Sequence, residues 1–102
     1  MLTFATTSQP VVWAGATDPD SPHDHATWAR IEAALTDLHA HRHHAIRILD
    51  LGCGRGGWLI RTAHRARDLG FTAIEGRGID SDPPLIAAAT RRAEEHPDPA
   101  SA

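Results

Sequence analysis

The stretch Ile46-Arg47-Ile48-Leu49-Asp50-Leu51-Gly52-Cys53-Gly54-Arg55-Gly56-Gly57 decides how this chain folds. Ala45 to Leu51 is an apolar, β-branched run, interrupted by Arg47 and closed by Asp50, as expected of a buried strand. From Gly57 the pattern changes. Trp58, Leu59, Thr62, Ala63 and Ala66 are spaced for an apolar helix stripe that ends at Leu69-Gly70. A strand therefore runs through a glycine loop into a helix. Glycines permit the tight turn and let a ligand lie against the backbone, while the helix start beyond offers unpaired N–H groups that favour an anionic group.

Taken as letters, Gly52, Gly54 and Gly56 form GxGxG, and Gly52, Gly54 and Gly57 form GxGxxG. Either pattern alone is weak. Asp50 is more informative. It stands two residues before the first glycine, where binders of nicotinamide and flavin cofactors keep an apolar strand residue. A carboxylate there repels a pyrophosphate and suits a ligand carrying an ammonium group and a sulfonium.

Downstream of the loop, Phe71 to Ile79 returns to extended chain, with Gly76 and Gly78 blurring its limits. Ser81-Asp82-Pro83-Pro84 starts a last helix, Leu85 to Glu95, halted before Pro97. Upstream, Ser21-Pro22-His23-Asp24 has the form of a helix start, and the helix runs to about Ala40. Trp28, Ile31, Leu35 and Leu38 share one of its faces. Residues 1 to 20 read as an extended arm around the apolar island Val11-Val12-Trp13, placed either as a frayed end or over the core through Trp13 and Phe4. The order helix, strand, helix, strand, helix predicts an α/β fold, a right-handed Rossmann-like βαβ unit with parallel strands.

The whole chain has 102 residues, room for one domain, with 41% hydrophobic and 23% charged residues, the balance of a chain that buries a core. A net charge of -3 offers no basic stripe to neutralise phosphates, which argues against nucleic acid and an acidic membrane as partners. No apolar run reaches the length of a membrane span. A single cysteine, Cys53, builds neither an internal disulfide nor a thiolate zinc site, and a reducing cytoplasm is expected. His39, His41, His43 and His44 crowd one helix end without a local carboxylate or thiol to complete a metal site, and read as polar groups at the negative end of the helix dipole.

The run Ile48-Leu49-Asp50-Leu51-Gly52-Cys53-Gly54-Arg55-Gly56 closely resembles the first motif of class I S-adenosylmethionine-dependent methyltransferases. Gly78-Ile79-Asp80-Ser81-Asp82-Pro83 resembles the family's second motif, and the resemblance covers residues 46 to 96. It implies that Gly52, Cys53, Gly54 and Gly56 approach the methionine portion of S-adenosyl-L-methionine. By the same resemblance Asp50 orients the loop and the cofactor's amino group, Asp80 accepts from both ribose hydroxyls, and Ser81 lies near the adenine edge. Cys53 enters as a small residue whose backbone lines the pocket, since no base partner for a thiol nucleophile is identifiable. The spacing from Asp50 to Asp80 exceeds that of many members, so Phe71 to Arg77 is either an inserted loop or a longer strand.

The resemblance places residues 21–102 in a partial methyltransferase domain after the 1–20 arm, with a helix over 21–40, the glycine loop at 52–57, a second strand ending near 80 and a helix over 83–96. Because the family's later strands and acceptor-binding loops have no counterpart here, the chain is expected to be the cofactor-binding half of an enzyme acting on a small-molecule acceptor. A missing C-terminal half or a partner chain would complete the sheet. No residue stands out as a general base. Two other readings stay open: a fragment of an NAD(P)-dependent oxidoreductase, which Asp50 argues against, and a non-catalytic Rossmann-like interaction module.

Overall fold

The computed structural model describes residues 1–7 and 25–96. Six elements follow in chain order: β1 (Leu2–Thr6), α1 (His25–Ala40), β2 (Ala45–Leu51), α2 (Gly57–Leu69), β3 (Ala73–Asp80) and α3 (Pro83–Glu95). The strands form one parallel sheet in the order β1-β3-β2. It is an α/β fold, consistent with a Rossmann-like βαβ unit in which β2, α2 and β3 are consecutive. The helix start expected at Ser21 to Asp24 and the apolar island Val11 to Trp13 lie outside the described residues.

The expected element order needs one correction, because a strand precedes the first helix and the sheet has three strands instead of two. The cause lies in β3. Leu2 pairs with Gly76 and Phe4 with Gly78. A Cβ at Gly76 would come within 2.5 Å of the Leu2 side chain, and one at Gly78 within 2.7 Å of the Phe4 ring. The two glycines that blur the strand in the sequence are seats for the apolar side chains of β1. The stretch Phe71 to Arg77 resolves as the longer strand, with β3 beginning at Ala73 and no inserted loop.

Alternation along the strands separates two faces. Ile46, Ile48, Ile74 and Leu2 pack with Leu35 of α1, Ala63 and Ala66 of α2, and Phe71. Phe71 and Leu59 are the largest side chains fully withdrawn from water. Helix α2 ends in a Schellman arrangement: the N–H of Gly70, at φ 112°, donates to Arg67 O, and the N–H of Phe71 donates to Ala66 O. That turn delivers Phe71 into the core directly from the helix end. On the opposite face of β2, Leu49 is 61% and Leu51 50% exposed, so among the described residues no helix covers that side.

Candidate functional site

In parallel sheets ligands gather beyond the carboxyl ends of the strands. Here that end brings together Thr6 and Thr7 at the end of β1, Asp50 and the glycine loop at the end of β2, and Asp80 to Asp82 at the end of β3. The register sets the loop's position. Leu51 pairs with Ile79, and beyond the last pair the N–H groups of Gly52 and Cys53 both donate to Ile79 O at 2.7 and 3.0 Å. The loop is thereby folded back over the end of β3. Positive φ at Gly52 (71°), Gly54 (55°) and Gly56 (81°) allows the reversal, and Gly56 leads into α2.

The glycines do different work. A Cβ at Gly54 would meet nothing within 4 Å, so this part of the loop offers open backbone. Gly56 is buried, and a Cβ there would come 2.9 Å from the Phe4 ring and 3.2 Å from Ala89. Its role is to let β1 and α3 pack beneath the loop, a packing demand that the sequence motif does not distinguish from ligand approach. Phe4 supports the loop from below, in keeping with the reading of an arm that packs over the core through Phe4, although the strand it belongs to was not expected.

The two acids converge from neighbouring strands. Asp80 closes the turn: its Oδ2 accepts the Gly54 N–H and its Oδ1 the Asp82 N–H, both at 2.9 Å. The Thr7 N–H donates to the backbone oxygen of Asp80 at 2.9 Å. Asp50 is half-buried beside it, and its Oδ2 is sealed from water with no hydrogen-bond partner among the described residues. Burial, followed by the negative charge of Asp80, raises the Asp50 carboxyl from its ordinary 3.8 to about 6. A carboxylate oxygen buried beside a folded loop without a donor is costly to the fold, a cost more often met at functional sites than elsewhere.

Cys53 is buried, with its sulfur against the seat at Gly78 and donating weakly to Gly54 O. Burial, then Asp50 and then Asp80, push its thiol up to about 12, so it stays protonated near neutrality and serves as packing. Ser81 is exposed at the turn before α3. Gly52, Cys53, Gly54, Asp50 and Asp80 therefore meet at one point, while Gly56 faces the interior and Ser81 stands at the outer rim.

At the rim of the same end, Trp28 of α1 stacks on Trp58 of α2, with ring centroids 6.1 Å apart, and the Arg61 guanidinium lies 3.9 Å from the centre of the Trp28 ring. Tryptophans at helical spacing gave no sign of this pairing between helices. The histidines gather elsewhere: His39 meets the edge of Phe71, and His41 Nδ1 lies 2.7 Å from Asp37 O. Among the described residues no group of three histidine, cysteine or acidic side chains is placed to hold a metal ion, and no helix is long and apolar enough to cross a membrane. Comparisons with protein-family models, with curated proteins and with solved structures found no match to this chain.

Proposed function

We propose that the carboxyl end of this sheet binds S-adenosyl-L-methionine and that the chain is the cofactor-binding half of a methyltransferase acting on a small-molecule acceptor in the cytoplasm. One observation carries the reading: two carboxylates from neighbouring strands converge on an open glycine backbone, and one of them has an unsatisfied oxygen. The fit is chemical. The cofactor's ammonium and sulfonium match a strand end that carries two acids, whereas a dinucleotide's pyrophosphate would meet repulsion at Asp50. A carboxylate offers about four acceptor positions, so Asp80, with two taken by backbone N–H groups, retains two for a pair of ribose hydroxyls.

In this arrangement Asp50 holds the cofactor's amino group, and Gly52, Cys53 and Gly54 supply backbone along its methionine portion. Asp80 takes the ribose, and Ser81 stands on the adenine side. Gly56 acts by allowing the loop to close. When bound, the cofactor supplies an electrophilic methyl group; the chain's own residues position it and exclude water. The sheet would be extended along the outer edge of β2 by further strands, from this protein or from another chain.

Calorimetric titration with S-adenosyl-L-methionine and, separately, NADH tests the reading. The expected result is saturable binding of the former, weakened at least about tenfold in both Asp50→Asn and Asp80→Asn, a loss of about 1.4 kcal/mol or more. Binding of NADH alone would overturn it in favour of an oxidoreductase fragment.

A further inference from the structure

Phe4 meets the candidate site from beneath at two places. A Cβ at Gly78 would come within 2.7 Å of its ring and 2.9 Å of the Cys53 sulfur, and a Cβ at Gly56 within 2.9 Å of the same ring. Phe4 and Cys53 therefore meet over Gly78, and Phe4 also fills the space under the loop's last turn. The backbone of β1 reaches the second acid: Thr6 pairs with Asp80, and the Thr7 N–H donates to Asp80 O at 2.9 Å. The Asp80 carboxylate in turn accepts the Gly54 N–H. One strand thus braces the loop at Cys53 and Gly56 and, through Asp80, at Gly54. Yet β1 has five residues and, among the described residues, pairs with β3 alone. The buried cluster of Leu35, Ala63, Ala66, Phe71 and Ile74 is packed without Phe4. Short elements at a sheet edge open locally at less cost than the whole fold.

We infer that Phe4 is a positioning residue for the glycine loop and that β1 is a separable latch. Docked, the strand holds the loop against Asp80; released, it frees the loop and uncovers Cys53. Linkage makes the effect mutual: a ligand that binds the braced loop strengthens the docking of β1 by the factor by which the docked strand strengthens binding. For S-adenosyl-L-methionine this rests on the function proposed above, whereas the coupling of strand and loop does not.

Cys53 is the single thiol of the chain, so its reaction with the chromogenic disulfide DTNB reports on the latch without any cofactor. Phe71→Leu, a core change that leaves Phe4 in place, is the control, and each labelling rate is compared with the global unfolding measured by denaturation. Phe4→Ala is expected to label at least about tenfold faster than its unfolding accounts for, and Phe71→Leu no faster. Phe4→Leu keeps an apolar side chain over Gly78 and should show a smaller excess of the same kind, which keeps the comparison open if the alanine variant does not fold. S-adenosyl-L-methionine should slow labelling of the wild type and bind Phe4→Ala at least about tenfold more weakly. Labelling of the Phe4 variants that only tracks global unfolding would overturn the proposal, as would equal cofactor affinity in wild type and Phe4→Ala. Fast labelling of Phe4→Ala together with a wild type that binds no cofactor would uphold the latch and remove the cofactor reading instead.

Discussion

The ends of β2 and β3 carry the same residue type at neighbouring places and treat it in opposite ways. Asp80, at the end of β3, accepts from two backbone donors and fastens the glycine loop to the turn before α3. Asp50, near the end of β2, gives its buried oxygen nothing. One carboxylate is therefore part of the frame and the other is held at a cost within it. The donors of the loop and the turn hold the first in place; the second is a group that folding has to tolerate, as groups kept for function often are.

The comparison breaks most severely at the frame. Gly56→Ala combines a left-handed backbone with a Cβ that meets Phe4 and Ala89, and is expected to cost about 3 kcal/mol in chemical denaturation. The added substitution Phe4→Ala should recover less than the whole, because the backbone strain at φ 81° remains. Asp80→Ala leaves the Gly54 and Asp82 N–H groups without their acceptor, and a loss of about 2–3 kcal/mol is expected in the same measurement.

Asp50→Asn should act in the other direction. Below about pH 4 the carboxyl is protonated whether the chain is folded or not; between there and about 6 the folded chain alone keeps the proton. Wild-type stability should therefore fall as pH rises through that window and level off above it. Solvent reaching a half-buried group reduces the effect, and about 1–2 kcal/mol is expected above pH 6. Asp50→Asn should flatten this segment of the curve and match or exceed the wild type at pH 7, whereas a wild-type curve that is flat from pH 4 to 6 would contradict the raised carboxyl. The smallest effect is expected at Gly54→Ala. It has room for the new methyl and is strained only by its φ of 55°, so it should cost about 1 kcal/mol, well below Gly56→Ala.

The strand, loop and helix from Ala45 to Leu69 were legible because local signals agree there: apolar run, glycine cluster, helical stripe and glycine stop. The strand β1 was not. Leu2-Thr3-Phe4-Ala5-Thr6 alternates, but five residues with small and polar members carry little period, and what makes them a strand is a pair of glycines on β3 far along the chain. The same long-range cause hid the difference between Gly54 and Gly56, which are identical as letters and distinguished only by Phe4 and Ala89. Asp50 stood out by its place before the glycines, yet the burial of its Oδ2 without a donor among the described residues depends on packing that no spacing records. The pairing of Trp28 with Trp58 was likewise invisible, since each reads as part of its own helix stripe.

The seating of Leu2 and Phe4 on β3 also governs the order in which the molecule can assemble. The amino group of Met1 donates to the carbonyl of Ile74, 73 positions away, whereas β2, α2 and β3 are neighbours along the chain. Closing so long a loop is slow compared with local contacts. During synthesis the first strand must wait for β3 to leave the ribosome, its apolar side chains unsheltered meanwhile and open to capture by a chaperone.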